Sequence, residues 1–114
     1  MHELGIVYEI VRVVDDVVKE NDIKKVEKII LEVGQLSMAI PRFLEECYPA
    51  AVDGTDYEDT ELEIEILTAM AQCKHCGNVY AVVDENKVCP KCGTKDHYQI
   101  MSGQEFNIKE IVAH

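Results

Sequence analysis

Four cysteines constrain this chain more than any other feature: Cys73, Cys76, Cys89 and Cys92, spaced Cys-x2-Cys-x12-Cys-x2-Cys. Two residues between the members of a pair let both thiolates of a tight turn converge on one ion, and two pairs complete a tetrahedral sulfur set that suits zinc. Gly77 and Gly93 each follow the second cysteine of a pair, where the backbone must turn through positive φ, and Pro90 pre-sets the second turn. Two disulfides are the competing use of such cysteines. They belong to oxidising compartments, and the start, Met1-His2-Glu3-Leu4, lacks the basic region and apolar core of a secretory leader. A reducing cytoplasm and a bound metal are therefore expected. Four protein thiolates close the coordination shell, so the ion is expected to be structural. A segment of about 35 residues has little core of its own, and the metal supplies most of its folding energy.

The charge balance limits partners. The 114 residues hold 22 acids and 11 bases, a formal charge of -11. Zinc ribbons that bind nucleic acid need a basic surface to displace counterions. Here Asp53 to Glu65 carries seven acids and no base, and the ribbon sets Lys74, Lys87 and Lys91 against Asp84 and Glu85. Four thiolates on a divalent ion leave the centre itself doubly negative. Nucleic acid is not an expected partner. Nor is a membrane, because no run of about 18 apolar residues occurs.

Periodicity places the elements. Leu4, Val7, Val11, Val14 and Val18 repeat at helical spacing, and Asn21-Asp22 is the stop. Val26 to Val33 reads as a strand with Ile29, Leu31 and Val33 on one face and Lys28, Ile30 and Glu32 on the other. Pro41 opens a second helix with Leu44, Cys47, Tyr48 and Ala51 inward, and Pro49 is expected to kink or end it near Tyr48. Asp53 to Asp56 is a loop. Glu61 to Leu67 alternates strictly, which predicts a strand with Leu62, Ile64 and Ile66 inward and a solvated row of glutamates. Glu105 to Val112 is the last strand, with Phe106 and Ile108 on one face.

The predicted fold class is α+β: a three-stranded sheet with two helices on one face, and a four-cysteine zinc ribbon inserted before the last strand. Residues 1–67 and 103–114 would form the α+β domain and residues 68–102 the ribbon domain. No nucleophile elbow, phosphate loop or paired-histidine protease motif is present, so no enzyme is expected.

The N-terminus offers a second metal-binding group. A bulky second residue blocks removal of Met1, so the chain is expected to begin Met-His-Glu. The Met1 amine, the His2 amide nitrogen and a His2 imidazole nitrogen can chelate one ion in five- and six-membered rings, a planar nitrogen set that suits nickel(II) or copper(II). Taken alone, a histidine at position 2 is an ordinary exposed terminal side chain. His97 is a candidate fourth planar ligand, equally readable as a surface residue near the zinc. His75 lies inside the first knuckle, where four thiolates already suffice. Cys47 reads as a buried core thiol. Two other uses of the ribbon stay open, a rubredoxin-like electron carrier and a zinc-ribbon adaptor for protein–protein contact.

Met-His-Glu at the start, Val33-Gly34-Gln35-Leu36-Ser37, and the cysteine pattern before a short closing strand together resemble the HypA/HybF family. These are accessory proteins that insert nickel during maturation of nickel–iron hydrogenase. The resemblance covers essentially the whole chain. It implies a nickel metallochaperone, with Ni(II) held by Met1 and His2, Glu3 adjacent, and structural Zn(II) held by Cys73, Cys76, Cys89 and Cys92. Implied partners are a nickel-handling nucleotide hydrolase of the HypB type, the hydrogenase large subunit and, in some members, the urease machinery. Family members usually continue helix two with a stretch rich in phenylalanine and alanine. This chain has Cys47-Tyr48-Pro49 instead.

Overall fold

The computed structural model describes residues 2–113, with the side chain of His2 not among them. The elements run α1 (His2–Glu20), β1 (Val26–Gly34), α2 (Pro41–Val52), β2 (Glu61–Leu67), β3 (Met70–Cys73), β4 (Val79–Ala81), β5 (Tyr98–Ser102) and β6 (Phe106–Ala113). They form two sheets, ordered β2-β1-β6 and β4-β3-β5. The four-cysteine ribbon is therefore inserted between two strands of the main sheet, in an α+β fold as expected.

β1 pairs with β2 in parallel and with β6 antiparallel. The parallel pair needs a crossover, which α2 supplies. Both helices cover one face. Val7, Ile10 and Val14 of α1 and Leu44, Cys47 and Tyr48 of α2 are buried with Ile29, Leu31 and Val33. The period of two in β1 thus sets the core. A buried threonine ties the layers: Thr60 donates from Oγ1 to the Val26 carbonyl at 2.8 Å, and its own carbonyl accepts from the Tyr48 hydroxyl at 2.8 Å.

Two expectations need correction. Pro49 does not end α2, which runs on to Val52. The amide that proline lacks would have bonded the carbonyl of Glu45, and both residues lie on the exposed side. Burial of Ala51 and Val52 beyond it outweighs the lost bond. Ile66 keeps the inward side of β2, opposite Val33, but is 59% exposed and not buried, because β2 is an edge strand whose end outruns the cover of α2. β6 keeps Phe106 and Ile108 on one face as expected, and its alternation breaks just beyond them. Ile30 faces Glu110 while Leu31 faces Ile108, so Lys109 is an extra, bulged residue. The bulge returns Ile111 to the core face opposite Ile29. It also lets Lys109 reach over β1 to Glu65 at 2.9 Å.

The ribbon has its own core of Ala69, Ala71, Tyr80, Val82 and the buried cysteines, and Leu36, in the turn after β1, packs against it. The two cores meet where the chain leaves and re-enters the main sheet. A Cβ on Gly34 would lie 2.0 Å from the Gly103 carbonyl oxygen, and Gly103 itself, at φ +105°, sits against Ala69. The Leu36 amide donates to the Gly103 carbonyl at 2.8 Å, and Gly34 donates to that of Glu105 at 2.8 Å. The Gln35 carboxamide is used at both ends: Oε1 accepts from the Ala69 amide at 2.8 Å, and Nε2 donates to Asp84 at 3.0 Å.

Two stability changes of opposite sign are expected. Gly34→Ala forces two backbones apart and should cost about 2–4 kcal/mol in urea unfolding. Pro49→Ala restores the bond to Glu45 and should stabilise by about 1–3 kcal/mol, seen as a higher urea midpoint at unchanged slope.

Candidate metal centre

Each cysteine pair caps a hairpin, and the two caps are built alike. Cys73 ends β3 and Val79 begins β4, with the first knuckle between them. The Gly77 amide donates to the Cys73 carbonyl at 2.9 Å, and the Cys73 amide donates to the Asn78 carbonyl at 2.8 Å. In the second knuckle the Gly93 amide donates to the Cys89 carbonyl at 2.8 Å, and the Cys89 amide to the Thr94 carbonyl at 3.0 Å. Gly77 and Gly93 take φ +80° and +76°, the left-handed turn expected of them.

The knuckles face each other. The four sulfurs lie within 4.8 Å of one another, with Cys73 to Cys92 and Cys76 to Cys89 both at 3.6 Å. A tetrahedral ion with bonds of about 2.3 Å to sulfur sets its ligands about 3.8 Å apart. The cluster therefore fits zinc with little adjustment. Each knuckle offers one buried thiol, Cys73 or Cys89, and one exposed thiol, Cys76 or Cys92.

The surroundings favour thiolates. Burial raises the Cys89 thiol, but the Cys92 and Lys91 amides, with Cys76 and Asn78, outweigh it and bring its pKa down to about 6. The Thr94 hydroxyl, 3.1 Å from Cys92 Sγ, and the Thr94 amide hold Cys92 below the ordinary thiol value. Cys76 moves the other way. The Asn78 amide lowers it, yet loss of water and the three neighbouring thiols push it up to about 11. Four thiols this close cannot all ionise without a cation between them. Tyr80 lines the same core, and its buried hydroxyl has no hydrogen-bond partner among the described residues.

No other described residue joins the cluster. His75 and His97 are exposed. His97 precedes Tyr98, which pairs with Cys73, while Ser102 at the other end of β5 pairs with Met70 near the main sheet. His97 thus stands at the metal end of the ribbon, about 16 Å along β5 from the junction. Met1, named above as a nickel ligand, lies outside the described residues, as does the His2 side chain. Glu3 is half-buried in the first turn of α1. Ile6 and Ile10, farther along α1, line one groove with Phe106. Phe106 pairs with Val33, next to Gly34. The beginning of α1 is therefore at the ribbon end of the main sheet. The Gln35 bridge could have been suspected from the Val-Gly-Gln-Leu-Ser run, although nothing in the run identifies Asp84 as its partner.

Fold and site define a small metal-handling protein, an α+β unit bearing a closed four-thiolate centre. Known proteins sharpen this. The family model described as hydrogenase/urease nickel incorporation, metallochaperone, hypA matches residues 1–113. The hydrogenase maturation factor HypA of Aquifex aeolicus is 34% identical over 111 residues, covering 97% of this chain and 96% of its own. That of Nostoc sp. is 36% identical over 111 residues, covering 97% and 94%. The solution structure of the Ni metallochaperone HypA from Helicobacter pylori shares the fold, with a TM-score of 0.64 at 21% identity, covering 97% of this chain and 96% of that one. The chain belongs to the HypA family, whose members are nickel metallochaperones of hydrogenase maturation. Among the described residues no helix is long and apolar enough to cross a membrane.

The centre makes a local prediction. The protein should hold one equivalent of zinc and show no visible absorption. Cys89→Ala, or a strong chelator, should remove the zinc and collapse amide dispersion for residues 70–102 while the main sheet keeps its slow hydrogen exchange.

Proposed function

We propose that this protein carries Ni(II) at its N-terminus and delivers it to the large subunit of a nickel–iron hydrogenase, with zinc in the ribbon as a structural ion. What carries this reading is the match of nearly the whole chain to a nickel-incorporation family together with the sequence Met1-His2-Glu3. We assign residues 1–67 and 103–114 to the nickel-binding unit and residues 68–102 to the zinc-binding unit. The partners are a nucleotide hydrolase of the HypB type and the hydrogenase large subunit, with the urease machinery as a second acceptor. The protein works in the cytoplasm and catalyses no reaction of its own.

The start of α1 supports the proposed chelate on physical grounds. α1 begins at His2, so the His2 amide is one of the first four helix N–H groups, which have no carbonyl to bond within the helix. It is free to lose its proton to a metal. A cation at a helix N-terminus is repelled by the helix dipole. The deprotonated amide and the Glu3 carboxylate offset that repulsion. The Met1 amine, the His2 amide nitrogen and the His2 imidazole make three of four planar positions. Glu3 or His97 closes the fourth, and the position of His97 at the metal end of the ribbon favours Glu3.

Calorimetric nickel titration of the zinc-loaded protein tests this. Two residues added before Met1 keep His2 but remove the free amine, and should weaken one-to-one binding at least a hundredfold. His2→Ala should do the same without changing the fold, whereas His97→Ala should shift affinity by less than about threefold. Full affinity in the extended protein would sink the N-terminal site.

A further inference from the structure

The main sheet has two open edges, and they are built differently. β6 carries the Lys109 bulge, a device that twists an edge away from further pairing. β2 carries none: its seven residues pair with β1 without a register shift. No turn or loop backbone bonds to Glu61 through Ile66 among the described residues. In a parallel pair only alternate residues bond the partner strand, so the others point their N–H and C=O groups outward. The edge ends beside a groove of about 320 Å³ that includes Ile40, Pro41, Ile66 and Val83. Ile40, Ile66 and Val83 are 47%, 59% and 37% exposed.

We propose that the outer edge of β2 is a docking site for an extended segment of a protein partner in which basic and apolar side chains alternate. The charge pattern selects this occupant. On the open face Glu61, Glu63 and Glu65 stand in a row, with Glu32 registered beside Glu65 and Glu110 beside Ile30. Among the described residues Lys28 reaches Glu61 and Glu63 and Lys109 reaches Glu65, two cations for five carboxylates. Leu62 and Ile64 face the helices and pack on the core. An added strand repeats the period of two. Its residues on the open face meet glutamates and must be basic, while those on the helix face meet apolar side chains and the groove beside Ile66. The backbone supplies affinity and the alternation supplies specificity, the mode of strand addition. A second copy of this chain is the wrong occupant, because pairing β2 with β2 sets glutamate against glutamate. The site is independent of the nickel ligands.

The test uses the zinc-loaded protein, nitrogen-15 labelled, and a capped heptapeptide, Lys-Val-Lys-Ile-Lys-Val-Lys. Binding should shift the amides of Glu61 to Leu67 and slow hydrogen exchange at alternate residues. Two N-methylated peptides separate strand pairing from charge adhesion. With methyl groups on the lysine amides in one and on the apolar amides in the other, only one set faces β2. One should lose about tenfold or more in affinity and the other little. A peptide with glutamate for lysine, and the Glu63→Lys protein, should each weaken binding about tenfold or more. The proposal is overturned if both N-methylated peptides bind like the parent, if the shifts map to β6 or the ribbon, or if millimolar peptide moves nothing in β2.

Discussion

Two glycine backbones lie in contact where the ribbon meets the main sheet, and the arrangement of the rest depends on that contact. The chain crosses this point twice, leaving β2 after Leu67 and returning through Gly103 to β6. Neither Gly34 nor Gly103 has room for a Cβ. Because they touch, the Leu36 amide reaches the Gly103 carbonyl, and Leu36 enters the ribbon core. Gln35 then spans from the 67–69 linker to Asp84 on the far side of β4. A ribbon joined by two flexible strands of chain would wander. One joined through a close-packed crossing and a carboxamide with both ends engaged is held in one orientation. The run Val33 to Leu36 is thus a mechanical joint, with each residue given a task.

The two halves draw stability from different sources. The main sheet buries a continuous apolar layer between three strands and two helices, and it has no need of a metal. The ribbon core is six residues, of which Tyr80 alone is large and two are the thiols themselves. Burial of that size cannot offset the conformational entropy of some thirty residues, at about 1–2 kcal/mol each. The ion closes the deficit by replacing the mutual repulsion of four thiolates with four bonds. The amides of Lys91, Cys92 and Thr94 aimed at the sulfurs prepare the second knuckle for that charge before the metal arrives.

What was legible in the sequence follows from which interactions are local. The cysteine spacing declares itself because ligands to one ion must recur at fixed intervals. β1 and β2 were readable because one face of each turns toward the helices and the period of two survives. Three features stayed hidden for reasons of distance. The ribbon strands are three to five residues long, too short for a period to show. The bulge at Lys109 is set by register against β1, which no window of β6 contains. Pro49 read as a stop because local backbone chemistry says so, and it was overruled by burial of Ala51 and Val52, which only the fold reveals. The exposure of Ile66 was concealed for the opposite reason. Its alternation is perfect, but alternation says which side a residue faces, not whether anything covers that side.

The acidity of the chain acquires a purpose when the two proposed metal sites are set side by side. The ribbon holds its ion with a complete shell of four thiolates, from which exchange is slow because no coordination position is free. A chelate at a chain terminus has open faces above and below the metal plane, so an incoming ligand can attack before any bond breaks. Cargo and structural ion would then be separated by coordination geometry and not by affinity alone, which matters because a soft thiolate cage would otherwise compete for the nickel. A net charge of -11 attracts divalent cations without specificity, and at physiological salt that attraction fades within about 8 Å of each carboxylate. It can raise the local concentration of the ion but cannot hold it, and in the proposed chelate the selective step falls to the few nitrogens at the start of α1.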